Sequence, residues 1–263
     1  MNSAPNNILD RLRSGQTVIG SWIHLNSPMA AEAMAQAGFD FLTIDLEHAP
    51  IDLADTFALF QAIRSGSPKC SPLVRLAGNS YHETKRFLDA GASGVIVPLV
   101  RTADEAIEIV RACKYPPQGE RGLGFCRDNR YGRDVETNFH SANDQKMVCV
   151  QIEHIEAVDN IDDILSVDGV DAAFIGPYDL SASMGIPGQF DHLDYQAATK
   201  RILQACQNHQ VAPGVHVVPP NVELVRQKES EGYRLIAYSL DITLLLTETD
   251  RAILRLKTER TGD

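Results

Sequence analysis

Short apolar runs alternate with amphipathic stretches along almost the whole chain. "TVIGSWI" (17–23) predicts a strand, and "SPMAAEAMAQAG" (27–38) predicts a helix with Ser27 as N-cap, Pro28 at the first helical position and Gly38 as terminator. The unit then recurs. "FDFLTIDL" precedes "LADTFALFQAIRSG", "SPLVRLA" precedes "YHETKRFLDAGA", and "GVIVPLV" precedes "TADEAIEIVRACK". After a long connection at about residues 115–145, "KMVCVQI" precedes "EAVDNIDDILSV", and "DAAFIGP" precedes a short turn and "YQAATKRILQACQNH". The last units pair "VAPGVHVV" with "NVELVRQKESEG" and "RLIAYSL" with "ITLLLTETDRAILRLK". Strands this short and this uniformly apolar suit a parallel sheet covered by helices. Eight βα units without a break, and no GxGxxG after the first strand, favour an α/β fold of one domain spanning 1–263: a closed (β/α)8 TIM barrel rather than an open dinucleotide-binding sheet.

Composition narrows the function classes. The chain is 44% hydrophobic and 22% charged, enough for a full core. Its 24 basic and 35 acidic residues give a net charge of −11 with no Lys/Arg cluster, which argues against nucleic acid as a partner. The five cysteines, Cys70, Cys113, Cys126, Cys149 and Cys206, are scattered singly, as expected of reduced thiols and not of a disulfide framework or zinc site. "MNSAPNNILDRLRSG" lacks an apolar signal core and no run approaches a membrane span, so a soluble cytoplasmic protein without a membrane partner is expected.

In such a barrel, chemistry gathers where the strands end. Strand 2 ends on Asp45, Glu47 and His48, and strand 3 carries Arg75. Strand 5 ends on Gln151 and Glu153, strand 6 runs through Gly176, Pro177 and Tyr178 to Asp179, strand 7 carries His216, and strand 8 ends on Tyr238, Ser239 and Asp241. Singly, each has a bland reading: Asp179 as a helix N-cap, His48 as a loop histidine, Arg75 as half of an ordinary ion pair, Glu153 as a first-turn helix acid. Their joint placement at four different strand ends points instead to a hard divalent cation on oxygen ligands. None of the seven lysines falls near the C-terminal end of a strand, so a metal Lewis acid is favoured over a Schiff base.

The motifs "GFDFLTIDLEHAP", "VRLAGN", "KRFLDAGASGVIVPLV", "YPPQGERGLG", "VQIEHIEAVDNIDDIL" and "GVDAAFIGPYDLSASMG" together resemble the HpcH/HpaI class II aldolases, metal-dependent pyruvate aldolases of the phosphoenolpyruvate/pyruvate barrel superfamily. The resemblance spans about residues 8–257. It implies that Glu153 and Asp179 hold Mg²⁺, Mn²⁺ or Co²⁺, and that Arg75 contacts the keto oxygen of pyruvate. It implies that His48 relays protons beside Asp45, and that Asp89 is supplied to a neighbouring subunit's site. Gly176 and Pro177 would shape the turn facing the substrate carboxylate. By their strand-end positions, Gln151, Tyr178, His216, Tyr238 and Ser239 are further candidates to line the substrate. The resemblance further implies a homo-oligomer, commonly a hexamer built as a trimer of dimers, with the C-terminal helix at about 242–257 packing on a neighbour.

This chain departs from the common pattern at Ala77 and Ser80, in a compact 125–131 segment carrying Arg127, Asp128 and Arg130, and at His216, Tyr238 and Ser239. The expected reaction is cleavage of a 4-hydroxy-2-oxo acid to pyruvate and an aldehyde. The alternatives are a citrate-synthase-like condensation of oxaloacetate with acetyl-CoA on the same site, and an inert binding subunit.

Overall fold

The computed structural model describes residues 7–261. Eight strands, β1 (Val18–Ile23), β2 (Phe41–Asp45), β3 (Ser71–Arg75), β4 (Gly94–Val97), β5 (Met147–Ile152), β6 (Ala172–Ile175), β7 (Ala212–Val217) and β8 (Leu235–Leu240), pair in parallel. They close into one barrel in chain order. Each register carries the ring forward; Asp45 lies beside Arg75, and His216 lies beside Ala237.

The helices are α1 (Ile8–Arg13), α2 (Pro28–Gln36), α3 (Leu53–Gly66), α4 (Tyr81–Ala90), α5 (Ala103–Cys113), α6 (Val135–Gln145), α7 (Ile155–Asp159), α8 (Ile161–Leu165), α9 (Pro177–Ser183), α10 (Leu193–His209), α11 (Val222–Glu231) and α12 (Asp241–Thr261). The capping chemistry of α2 is as the residues predict: the Ser27 hydroxyl accepts the Ala30 N–H, and Gly38 turns out of the helix at a φ of 101°.

Apolar side chains form two layers. One fills the barrel, with Trp22, Phe41, Leu73, Ile96, Cys149 and Phe174 stacked inside; the other lies between strands and helices. Ile8, Leu9 and Leu12 of α1 belong to the inner layer and are buried, so this short helix stoppers the barrel at the end where the strands begin. Periodicity does not reveal α1, because six residues hold too little pattern.

Three expectations need correction. The 115–145 connection is not a plain loop, since it contains α6. That helix buries only Ala142, so it has no apolar stripe to read; asparagines hold it instead. Asn143 accepts the Tyr115 N–H at 2.7 Å and donates to the Tyr115 carbonyl at 2.9 Å, and Asn138 donates to Asp128. The helix after β5 is interrupted at Asn160, whose amide donates to the Arg101 carbonyl. The C-terminal helix begins at Asp241 and extends to Thr261, beyond the expected 242–257. Among the described residues, no helix is long and apolar enough to cross a membrane.

Candidate active site

The C-terminal ends of β1, β2 and β3 build one charged network. Asp45 is fully buried at the end of β2. Its Oδ1 accepts Arg75 Nε at 2.8 Å and its Oδ2 accepts Arg75 Nη2 at 2.6 Å, a two-pronged contact that fixes the guanidinium plane. His24 Nε2 reaches the same Oδ2 at 2.8 Å, and the backbone N–H groups of Glu47 and His48 turn back onto Oδ1. Burial alone would raise this carboxyl; hydrogen bonds from His24 and Arg75, and their charges, overturn that and hold it well below the usual carboxylate range. The Arg75 guanidinium also lies over the Trp22 ring, 4.4 Å from its centroid. Its Nη1 is 3.1 Å from Glu47 Oε2, which is 3.8 Å from His48 Nε2. Arg75 therefore joins Asp45 to Glu47 and His48.

Facing it across the mouth, β5 and β6 bring up Glu153 and Asp179. Glu153 is buried, with Oε1 accepting the Leu99 N–H at 2.7 Å and Oε2 accepting the Gln151 amide. Leu99 adopts a left-handed φ of 57°, an uncommon choice for a branched side chain, and that conformation accompanies the N–H contact to Glu153. Asp179 sits exposed in the first turn of α9. Gly176 is needed here: a Cβ on it would fall 2.6 Å from Glu153 Oε2 and 2.8 Å from Glu153 Cβ. The turn packs directly on the carboxylate.

The donor set suits a divalent cation. Burial pushes the Glu153 carboxyl up; Gln151 and Leu99 oppose this, while the charges of Glu47 and Asp179 add to it. Glu47 is likewise raised, by burial first, against Arg75 and His48 and with Asp45 and Asp179. Glu47, Glu153 and Asp179 thus repel one another; Glu47 Oε2 has Arg75 Nη1 at 3.1 Å as its counter-charge, and Gln151 Oε1 is buried without a hydrogen-bond partner. A hard cation between Glu153 and Asp179 would relieve that repulsion. No group of three or more metal-ligating side chains occurs among the described residues, so water and substrate would complete the shell.

The remaining predicted residues scatter. His216 stacks on Trp22, with ring centroids 5.4 Å apart, and bonds the Ser239 carbonyl. Tyr238 is half-buried, whereas Tyr178 is exposed with its ring edge-on to Phe190. Asp241 does not face the mouth as a reactive carboxylate; it is buried and accepts the backbone N–H groups of His24, Leu25 and Ile242, bracing the β1 end. Asp89 lies in the last turn of α4, paired with Arg121 at 2.8 Å and Lys85 at 3.4 Å, outside the network of its own barrel. The buried Lys114 and Lys146 hold backbone carbonyls at the opposite, N-terminal face and pair with Asp171 and Asp128. Two residues that strand-end reasoning passed over belong to the site. His24 follows β1, and Trp22 carries the arginine; "SWIH" held the signal as an aromatic and an imidazole two residues apart on one strand face.

Comparison with known proteins bears on this arrangement. The sequence profile described as HpcH/HpaI aldolase/citrate lyase matches residues 18–247. A 4-hydroxy-2-oxovalerate aldolase from Rhodococcus jostii is 41% identical over 249 residues, covering 95% of each chain. A 4-hydroxy-2-oxo-heptane-1,7-dioate aldolase from Escherichia coli is 39% identical over 253 residues, again 95% of each. The crystal structure of an HpcH/HpaI aldolase/citrate lyase family protein from Burkholderia cenocepacia superposes with a TM-score of 0.90 at 36% identity, covering 95% of this chain and 98% of that one. The citrate synthase SbnG is more distant in sequence, at 28% identity and a TM-score of 0.85, covering 97% of this chain and 99% of that one.

Proposed function

This chain belongs to the HpcH/HpaI aldolase/citrate lyase family, and from that membership we propose that it is a carbon–carbon lyase cleaving 4-hydroxy-2-oxo acids to pyruvate and an aldehyde. The aldolases near 40% identity favour this over the citrate-synthase reaction, whose representative is more distant. One observation carries the reading: a guanidinium fixed by a buried carboxylate faces a pair of mutually repelling carboxylates across one barrel mouth.

Glu153 and Asp179 would hold the divalent cation, which when bound polarises the keto group of the 2-oxo acid and so acidifies the neighbouring C–H. Arg75, unable to rotate away from Asp45, directs its positive edge to the oxygen where enolate charge develops. His48, exposed at the end of β2 and 3.8 Å from Glu47, takes the proton in synthesis and returns it in cleavage. Gln151 positions Glu153, and Gly176 and Pro177 form the tight turn that leaves room for the substrate carboxylate. Five unpaired thiols suit a reducing, cytoplasmic compartment.

The test is exchange of the pyruvate methyl protons in D₂O, followed by NMR after chelator treatment. Exchange restored by Mg²⁺, Mn²⁺ or Co²⁺ is the expected result. Its absence with every metal would remove pyruvate as the donor.

The assembly is proposed on a separate observation. Leu245, Leu246, Ile253, Leu254 and Leu256 of α12 are exposed, an apolar face that a second copy of the chain would bury. In a hexamer, Asp89 on α4 would be supplied to a neighbouring subunit's site. Light scattering should then give a multiple of the 28.9 kDa chain, reduced by Leu254→Asp; a monomer before substitution refutes the assembly.

A further inference from the structure

We propose that His216 reads the acceptor half of the substrate, and that the acceptor it selects is a small uncharged aldehyde bearing a hydroxyl group. The inference rests on the aldol reading above and concerns its second substrate.

The first support is the ring itself. His216 Nε2 lies 2.9 Å from the Ser239 carbonyl, and a carbonyl only accepts, so Nε2 carries the hydrogen. Burial outweighs that hydrogen bond and, helped by the charges of Arg75 and His24 against that of Asp45, brings the pKa to about 4. At neutral pH the ring is therefore uncharged and Nδ1 is a bare lone pair. No described residue donates to Nδ1. Stacking on Trp22 stops the ring from turning to find another partner.

The surroundings agree. Ser239 holds a left-handed φ of 53°, and its carbonyl takes both His216 Nε2 and the Ser21 hydroxyl, which locks the tautomer from the backbone side. Trp22 Nε1 and Ser239 Oγ are buried polar atoms without hydrogen-bond partners. Those two atoms are enclosed, which leaves the His216 Nδ1 lone pair as the open polar atom; it is costly against an alkyl group and is satisfied by a hydroxyl, which donates to it. Charge then sets the class. The segments ending β1, β7 and β8, "WIHLN", "HVVPP" and "YSLDI", contain no lysine or arginine. Arg75 is held by Asp45 and Glu47 with its free edge given to the keto oxygen of the donor, and His24 is paired with Asp45. A carboxylated acceptor would meet the His216 lone pair without a cationic counter-group on that wall.

Glycolaldehyde and propanal are nearly isosteric, differing by hydroxyl against methyl, so their ratio isolates the hydrogen bond. With Mn²⁺-loaded enzyme and pyruvate, kcat/KM for glycolaldehyde should exceed that for propanal at least about tenfold, and exceed that for glyoxylate. In His216→Leu the glycolaldehyde-to-propanal ratio should fall below about threefold, and His216→Asn, which keeps a polar acceptor, should restore part of it. A ratio near one in the unmodified enzyme, an undiminished ratio in His216→Leu, or a preference for glyoxylate would overturn the proposal. If His216→Leu fails to fold by circular dichroism, the unmodified ratio and His216→Asn decide. Pyruvate proton exchange in the same preparation separates the two levels: exchange without acceptor discrimination refutes only this inference, and no exchange refutes the aldol reading beneath it.

Discussion

Glu153→Gln should abolish metal-dependent exchange of pyruvate protons, by about 10³-fold or more, while making the metal-free protein more heat-stable. Both effects come from one feature. Glu153 is buried and its carboxyl is pushed above the ordinary 4.5 by burial and by its acidic neighbours. A raised folded-state pKa means that the unfolded chain bears the charge more easily. Stability from this group is thus full below about pH 4.5 and is lost as pH rises through the folded value. At neutral pH the ionised group subtracts stability, and the isosteric amide removes the subtraction. We expect Tm of the metal-free variant to rise by about 2–4 °C, Mn²⁺ affinity by calorimetry to fall at least about 100-fold, and the stabilisation of the unmodified protein by Mn²⁺ to disappear. A Tm that falls, or Mn²⁺ that still stabilises the variant, would contradict the ligand assignment.

Arg75→Met should be as damaging to activity and opposite in stability. The guanidinium makes both prongs of the contact to Asp45 and pairs with Glu47, so its removal leaves a fully buried carboxylate with His24 as its only side-chain partner among the described residues. Breaking a buried pair from one side costs about 3 kcal/mol here, near the lower end of the usual range because His24 remains. Loss of the donor aimed at developing charge should slow pyruvate proton exchange by about 10²–10³-fold. The pH dependence follows from the sign of the Asp45 shift. Its depressed pKa contributes stability that is present above the unfolded value of 3.8 and lost as pH falls through the lower folded value. In Arg75→Met that protection shrinks, so acid unfolding monitored by circular dichroism should begin at higher pH. An acid midpoint unmoved by the substitution would show that Asp45 does not depend on Arg75.

The barrel was legible in the sequence because each βα unit repeats a strong local signal. Ser27, Pro28 and Gly38 mark α2 by capping chemistry alone, and the uniformly apolar strands announce a sheet covered on both faces. What escaped was structure whose cause is remote. The segment that becomes α6 has no stripe, because Asn138 and Asn143 hold it to Asp128 and Tyr115 through side-chain hydrogen bonds that no periodicity records. The same contrast holds at the site. Asp45, Glu47, His48, Arg75 and Glu153 could be read as strand ends, and they lie where strand ends lie. His24 follows β1 directly and was passed over, since its partners, an aspartate of the next strand and a backbone clasp made by Asp241, are remote in the chain.

That clasp has a bearing on how the protein is born. The N–H groups of His24 and Leu25 are satisfied by a carboxylate 217 and 216 positions later in the chain, and β1 finds its second neighbour only in β8. On the ribosome, the strand that carries Trp22 and His24 must therefore wait for nearly all of the chain before its outer edge and its last two amides are paired. Contacts so distant in sequence form late, because the entropy of closing the ring must be met before the closure rewards it. The first strand made is among the last to be completed, and with it the wall that faces the acceptor.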